Sequence, residues 1–127
     1  QSTLRLDLAE NLPQAALDVV RLRLALRNLI DNALRHGATA ATPPCITTRV
    51  ADGQLQLSVR DFGAGVDEAQ LARLSEAFYR ADAARQRSTG GVGLGLYLCR
   101  RVAQAHGGTL TIRNASPGLE LTLSLPI

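Results

Sequence analysis

No lysine, tryptophan or methionine occurs among the 127 residues of this chain, and aromatic residues make up only 3% of it. The missing lysine excludes a P-loop, whose GxxxxGK[ST] signature needs that ammonium group. The scarcity of rings leaves Leu, Val, Ile and Ala to fill any core through many small dispersion contacts. It also argues against a nucleic-acid surface, which would pair clustered cations with stacking aromatics, whereas the arginines here are scattered from Arg5 to Arg113. Cysteine is limited to Cys45 and Cys99, with neither a CxxC pair nor a nearby histidine arranged as a metal-ligand set. Cys99, inside the apolar stretch Leu96-Tyr97-Leu98-Cys99, reads as a small buried hydrophobe. No basic start leads into an apolar run, and nothing approaches the ~20 apolar residues of a membrane span, so no direct membrane contact is expected of this chain.

What is present suits one closed core. Hydrophobic residues make up 46% and charged residues 20%, at a length usual for a single domain, taken as residues 1–127. All 14 basic residues are arginine and, against 11 acidic ones, they leave a formal charge of +3. An anionic ligand such as a nucleotide is a sufficient use for some of that charge. The expected fold class is α+β.

Residues 3–8 alternate Leu4, Leu6 and Leu8 with Arg5 and Asp7, the period of a strand with one buried face. Asp18 is placed to cap a helix running to about Arg35, with Leu22, Leu26, Leu29 and Ala33 on its inward face. A small, Thr-rich loop closed by Pro43-Pro44 follows. Strands at 46–50 and 55–59 then flank Asp52-Gly53, a strong hairpin signal. A short helix is expected over 66–77 with Leu71 and Leu74 inward, then a polar, Arg-rich segment over 78–91 without apolar period, which reads as mobile. Helical spacing returns over 93–106 through Leu94, Leu98, Val102 and Ala105 and is ended by Gly107-Gly108. Strands at 109–113 and 119–125 complete the pattern.

Three local patterns carry chemistry. Asn28, Asn32 and Arg35 fall at i, i+4 and i+7 and form one polar stripe away from the leucine face, which on its own is equally a solvated helix surface. Asp61-Phe62-Gly63-Ala64-Gly65 sets a carboxylate at a strand end before two glycines that let backbone approach a flat ligand. Such a carboxylate can accept from the exocyclic amine of adenine, where guanine has a carbonyl, although DxGxG by itself is also an ordinary turn. The run Gly90-Gly91-Val92-Gly93-Leu94-Gly95 precedes a helix, whose free N–H groups and dipole suit phosphate. Its GxGxG spacing and the absence of a preceding strand set it apart from the dinucleotide fingerprint.

The segments NLIDNALRHG, DFGAG, EAFYRAD and GGVGLGL occur in the order seen in histidine kinases of the gyrase, chaperone, kinase and mismatch-repair ATPase superfamily, and GGTLTIRN with a terminal SLPI extends the resemblance over nearly the whole chain. The resemblance implies a Bergerat-type fold, a two-layer α/β sandwich whose mixed, mostly antiparallel sheet carries three helices on one face. It implies ATP and Mg²⁺ as cofactors. Asn32 resembles the metal-ligating Asn, Asn28 lies near the same metal, and Arg35 matches a Lys or Arg that reaches phosphate; these three form the implied catalytic set. His36 occupies a position where an aromatic often lines the nucleotide, and a partly exposed helix-end histidine is an equal reading. Asp61 resembles the adenine-reading Asp, with Gly63 and Gly65 shaping its pocket. Gly91, Gly93, Leu94 and Gly95 resemble the phosphate-side box, and 78–90 the lid over ATP. Ser75 departs from the family pattern, which often has Phe before FYR.

ATP-hydrolysing relatives carry Glu at the position of Asn28 to activate water, and an amide cannot act as a general base. The resemblance therefore implies γ-phosphate transfer to a histidine on an adjoining dimerisation domain, with the aspartate of a response regulator as the next acceptor. Neither His36 nor His106 has the His-Glu or His-Asp context of a phosphoacceptor, and His106 reads as a helix-end residue facing the dipole. A cytoplasmic domain of a parent anchored in a bacterial inner membrane is the implied setting. The rivals are a self-contained ATPase clamp, which Asn28 disfavours, and a nucleotide-sensing module that transfers nothing, which the intact Asn32, Asp61 and glycine boxes disfavour.

Overall fold

The computed structural model describes residues 5–8, 17–76 and 95–127. The first strand, β1 (Arg5–Asp7), leads to helix α1 (Val19–His36). Asp18 starts α1 as foreseen: its Oδ1 accepts from the Arg21 N–H at 3.1 Å, satisfying one of the orphan donors of the first turn. At the other end the Gly37 N–H bonds the Ala33 carbonyl at 2.9 Å. The hairpin β2 (Cys45–Ala51) and β3 (Gln54–Arg60) turns on Asp52 and Gly53, with φ of 55° and 72°. Positive φ at both positions is the mirror-image turn that matches strand twist, and it explains the Asp-Gly choice. A single helical turn, α2 (Glu68–Leu71), precedes α3 (Gly95–Ala105), which is followed by β4 (Thr109–Asn114) and β5 (Leu119–Pro126).

The sheet order is β1-β2-β3-β5-β4; β1 runs parallel to β2 and the remaining neighbours are antiparallel. Registers Ile46↔Val59↔Leu121 and Leu57↔Leu123↔Leu110 stack apolar side chains on one face, where Ala25, Leu29 and Ala33 of α1 and Cys99, Val102 and Ala103 of α3 close over them. Burying one such leucine is worth about 1.5–3 kcal/mol. The other face is polar, with Ser58 and Thr122 hydroxyls 2.9 Å apart and Arg49 Nε donating to Gln56 at 2.8 Å.

Helices α1 and α3 run antiparallel and are joined along their length. Near one end the Asp18 N–H donates to His106 Nε2 at 3.0 Å, while His106 Nδ1 lies 2.8 Å from the Val102 carbonyl. A carbonyl can only accept and an amide N–H only donate, so Nδ1 carries the hydrogen and the ring is neutral. In the middle the buried Cys99 thiol donates to the Ala25 carbonyl at 3.2 Å, and burial pushes its pKa up to about 12, as expected of a structural cysteine. Beyond His106 the chain leaves α3 through Gly107 at φ 75°, with Gly108 N–H bonded to Ala103 O and Gly107 N–H to Gln104 O, the pairing of a Schellman cap.

Three expectations change. The alternation in β1 does give a strand, but Leu6 is 63% exposed; β1 is the edge strand, and α1 and α3 lie over β3, β4 and β5 instead. On α3 the inward residues are Leu96, Cys99, Val102 and Ala103, leaving Leu98 and Ala105 exposed, because the ridge that meets Ala25 is centred on Cys99. The helix expected over 66–77 is one turn long: Asp67 makes no capping bond, and Leu71 and Leu74 are only half-buried, too little to hold a longer helix. Among the described residues no helix is long and apolar enough to cross a membrane. The segment expected as a lid, 78–90, lies outside the described residues.

Candidate functional site

Asp61 continues β3 by one residue, its N–H bonding the Leu119 carbonyl at 3.0 Å, and the side chain is 2% exposed. Its Oδ1 accepts from the Gly63 N–H at 2.9 Å and the Leu119 N–H at 3.4 Å. Both donors go to one oxygen, which leaves Oδ2 for an incoming donor.

Backbone crowds this carboxylate on three sides, and each approach requires glycine. A Cβ on Gly63 would lie 2.1 Å from the His36 carbonyl oxygen, and one on Gly118 (φ 87°) would lie 1.9 Å from the Asp61 carbonyl oxygen. At Gly37 it would meet Ala33 O at 3.0 Å and Asp61 Cβ at 3.2 Å. The end of α1, the 61–65 loop and the β4–β5 turn therefore converge at Asp61.

The amides of α1 correct the expected stripe. Asn32 is 8% exposed and sits between the buried Leu29 and Ala33, so it faces inward with them rather than away. Asn28 is half-buried one turn earlier, beside Gly95 at the start of α3, where a Cβ would stand 3.5 Å from Asn28 Oδ1. Asn28 Nδ2 and Asn32 Oδ1 are buried with no hydrogen-bond partner. Each such group costs about 1–3 kcal/mol, so a donor and an acceptor left open four residues apart mark a surface prepared for a polar ligand. Arg35 is exposed in the last turn of α1. His36 is half-buried against Asp61; desolvation holds its pKa below the usual value, the Asp61 carboxylate pulls the other way, and Arg35 adds to the lowering.

The structure thus gathers Asn28, Asn32, His36, Asp61, Gly63 and Gly95 around the gap between α1 and the loop after β3. Gly91, Gly93 and Leu94 lie outside the described residues. Gly65 (φ 78°) is turned toward the end of β4, where its Cβ would come within 2.6 Å of Asn114 Oδ1. Gly37, Gly118, Asn114 and Arg60 escaped the sequence reading. Arg60 Nη2 donates to the Ala115 and Pro117 carbonyls at 3.1 Å each, and its guanidinium lies 4.3 Å from the centre of the Phe62 ring. An Asn four residues before a Gly, at the close of a strand, was the signal available for the β4–β5 turn.

Residues 17–127 match the family described as histidine kinase-, DNA gyrase B-, and HSP90-like ATPase. The chain is 42% identical over 119 residues, 93% of its length, to the signal transduction histidine-protein kinase AfsQ2 of Streptomyces coelicolor, of which it covers 22%. Against the sensor histidine kinase CusS of Escherichia coli it is 35% identical over 113 residues, covering 89% of this chain and 23% of that protein. Full-length ShkA, solved in complex with AMPPNP, superposes with a TM-score of 0.81 at 31% identity, over 97% of this chain and 25% of that one. The nucleotide-free catalytic domain of the histidine kinase ThkA shares the fold at a TM-score of 0.79 and 22% identity, over 97% of this chain and 78% of that one. The chain belongs to the histidine kinase-, DNA gyrase B-, and HSP90-like ATPase family. Within it, the similarity is to the ATP-binding catalytic domain of sensor histidine kinases, and the chain spans about a fifth of the length of those relatives.

Proposed function

We propose that this domain binds Mg²⁺·ATP and transfers the γ-phosphoryl group to a histidine of an adjoining dimerisation domain, for relay to an aspartate of a response regulator. The observation that carries the reading is the pair of unpartnered buried amide atoms, Asn28 Nδ2 and Asn32 Oδ1, lying across from a buried Asp61 with one oxygen uncommitted. Asp61 accepts from the exocyclic amine of adenine and so sets the base. Asn28 Nδ2 is a donor for a phosphate oxygen, and Asn32 Oδ1 is a hard oxygen ligand. Among the described residues no group of three His, Cys, Asp or Glu stands together, which suits a cation held largely by water and phosphate rather than by a protein cage. Bound there, Mg²⁺ supplies charge neutralisation between the phosphates.

Arg35, at the exposed end of α1, is placed to follow the phosphates, and Gly91, Gly93, Leu94 and Gly95 complete the phosphate side. Neutral His36 lines the pocket beside Asp61. With an amide at Asn28 the site has no base there to activate water, so ATP is retained until an imidazole arrives in line with the γ-phosphorus. The P–O bond to ADP then breaks as the P–N bond forms, and the imidazole proton leaves to solvent. The parent is a sensor held in the bacterial inner membrane with this domain in the cytoplasm, where it contacts neither lipid nor nucleic acid.

The test is incubation with γ-labelled ATP, alone and with the parent's dimerisation domain. The expected result is binding without self-labelling, and acid-labile label on the added domain. That label will be weak, because a tether supplies an effective concentration of order millimolar that free mixing lacks. Rapid phosphate release by the chain alone would instead make it an ATPase.

A further inference from the structure

The loop that follows Asp61 is held at both ends by a single rung of the sheet. Asn114 and Leu119 are paired across β4 and β5. Leu119 takes the first end of the loop, accepting from the Asp61 N–H at 3.0 Å and donating its own N–H to Asp61 Oδ1 at 3.4 Å. Asn114 takes the far end through its side chain: Oδ1 accepts from the Val66 N–H at 3.1 Å, and Nδ2 donates to the Val66 carbonyl at 2.7 Å. One amide thus satisfies both polar groups of Val66, as a neighbouring strand would. Nδ2 also lies 3.4 Å from Glu68 Oε1, and Asn114 Oδ1 fills the space a Cβ on Gly65 would need. Among the described residues, the backbone of Gly63 to Val66 makes no other hydrogen bond than that of Gly63 to Asp61 Oδ1 and those to Asn114.

We propose that Asn114 is a positioning residue of the nucleotide site, fixing the 61–66 loop in the shape that presents Asp61 and the glycine backbone to the base. This rests on the nucleotide reading above. Asn114 acts through the loop and touches no phosphate-side group, so its loss is felt at the base and not at the phosphates.

That division is measurable with the full chain by calorimetric titration of ATP, ADP and GTP. Asn114→Ala is expected to weaken ATP and ADP by the same factor, about tenfold for two lost neutral hydrogen bonds, and to reduce the preference for ATP over GTP. Asn114→Asp adds a pH signature. Ionised, its carboxylate faces the Val66 carbonyl and Glu68 and binding is weak; protonated, it accepts from and donates to Val66 as the amide does. The Asn114→Asp deficit relative to wild type should therefore shrink as pH falls from 7.5 to 5, while the Asn114→Ala deficit persists. Where Asn114→Ala does not fold, this acid recovery alone decides the matter. Wild-type affinity and selectivity in both variants, or a changed ATP-to-ADP ratio with ATP-over-GTP preference intact, would overturn the role of Asn114 alone. A wild-type chain that binds no ATP would overturn the nucleotide reading together with it.

Discussion

At Asp61 the two carboxylate oxygens have separate tasks: Oδ1 shapes the loop through Gly63 and Leu119, and Oδ2 is left to recognise. Asp61→Asn keeps an oxygen for the loop and replaces the recognising acceptor by a donor. ATP affinity should fall about ten- to hundredfold, the ~1.5–3 kcal/mol of a charge-assisted bond, as read by calorimetric titration, with melting temperature measured alongside to separate folding from binding. His36 gives a pH-dependent counterpart. Its folded pKa lies below the unfolded value of 6.5 because burial disfavours the imidazolium. The stability it confers is complete above 6.5 and is lost as pH falls through the folded pKa, since the unfolded chain takes up the proton first. His36→Phe should therefore flatten the acid side of a melting-temperature profile between pH 7.5 and 5, and an unchanged slope would count against that burial.

At the scale of the element, the turns divide into those that need glycine for φ and those that need it for space. Gly53 has φ 72° and nothing within reach of a Cβ, whereas at Gly118 positive φ and a backbone oxygen at 1.9 Å act together. Gly53→Ala should cost about 1–2 kcal/mol in urea unfolding and leave nucleotide binding alone. Gly118→Ala should cost more than about 3 kcal/mol and weaken binding as well, because the obstructing atom is the Asp61 carbonyl. The same contrast explains what could be read from the chain. Asp52-Gly53 betrays itself because its demand is local. Asn114 does not, because an Asn closing a strand before a turn is ordinary turn chemistry until the fold sets it against Val66. The inward ridge of α3 was misjudged for a related reason: Leu94, Leu98 and Val102 have the right period, yet the choice among neighbouring ridges is made by the helix it meets. Asn28, Asn32, Asp61 and Gly63 were legible because their residue types and spacing are unusual for a structural role alone.

For the whole molecule, stability rests on the seam between helices and sheet. Leu29 is fully buried there, and Leu29→Ala should lower unfolding free energy by about 2–5 kcal/mol in a denaturant titration, against about 0.5 kcal/mol or less for Leu24→Ala at a side chain 49% exposed. That seam also fixes a distance. From the Asp18 cap, where His106 pins the two helices together, Asn28 lies ten residues along α1, about 15 Å at 1.5 Å per residue, and Gly95 lies eleven residues back along α3, about 16 Å. The helices are two arms of nearly equal reach hung from one pivot, and their free tips are the residues that meet at the ligand gap. Adding a residue to either arm between the pivot and the tip would advance that tip by about 1.5 Å and turn it by about 100°, swinging Asn28 out of line with Gly95 even if every core contact were rebuilt. The arms act as a ruler, and the length they measure is a property of the spacing between residues rather than of any residue in it.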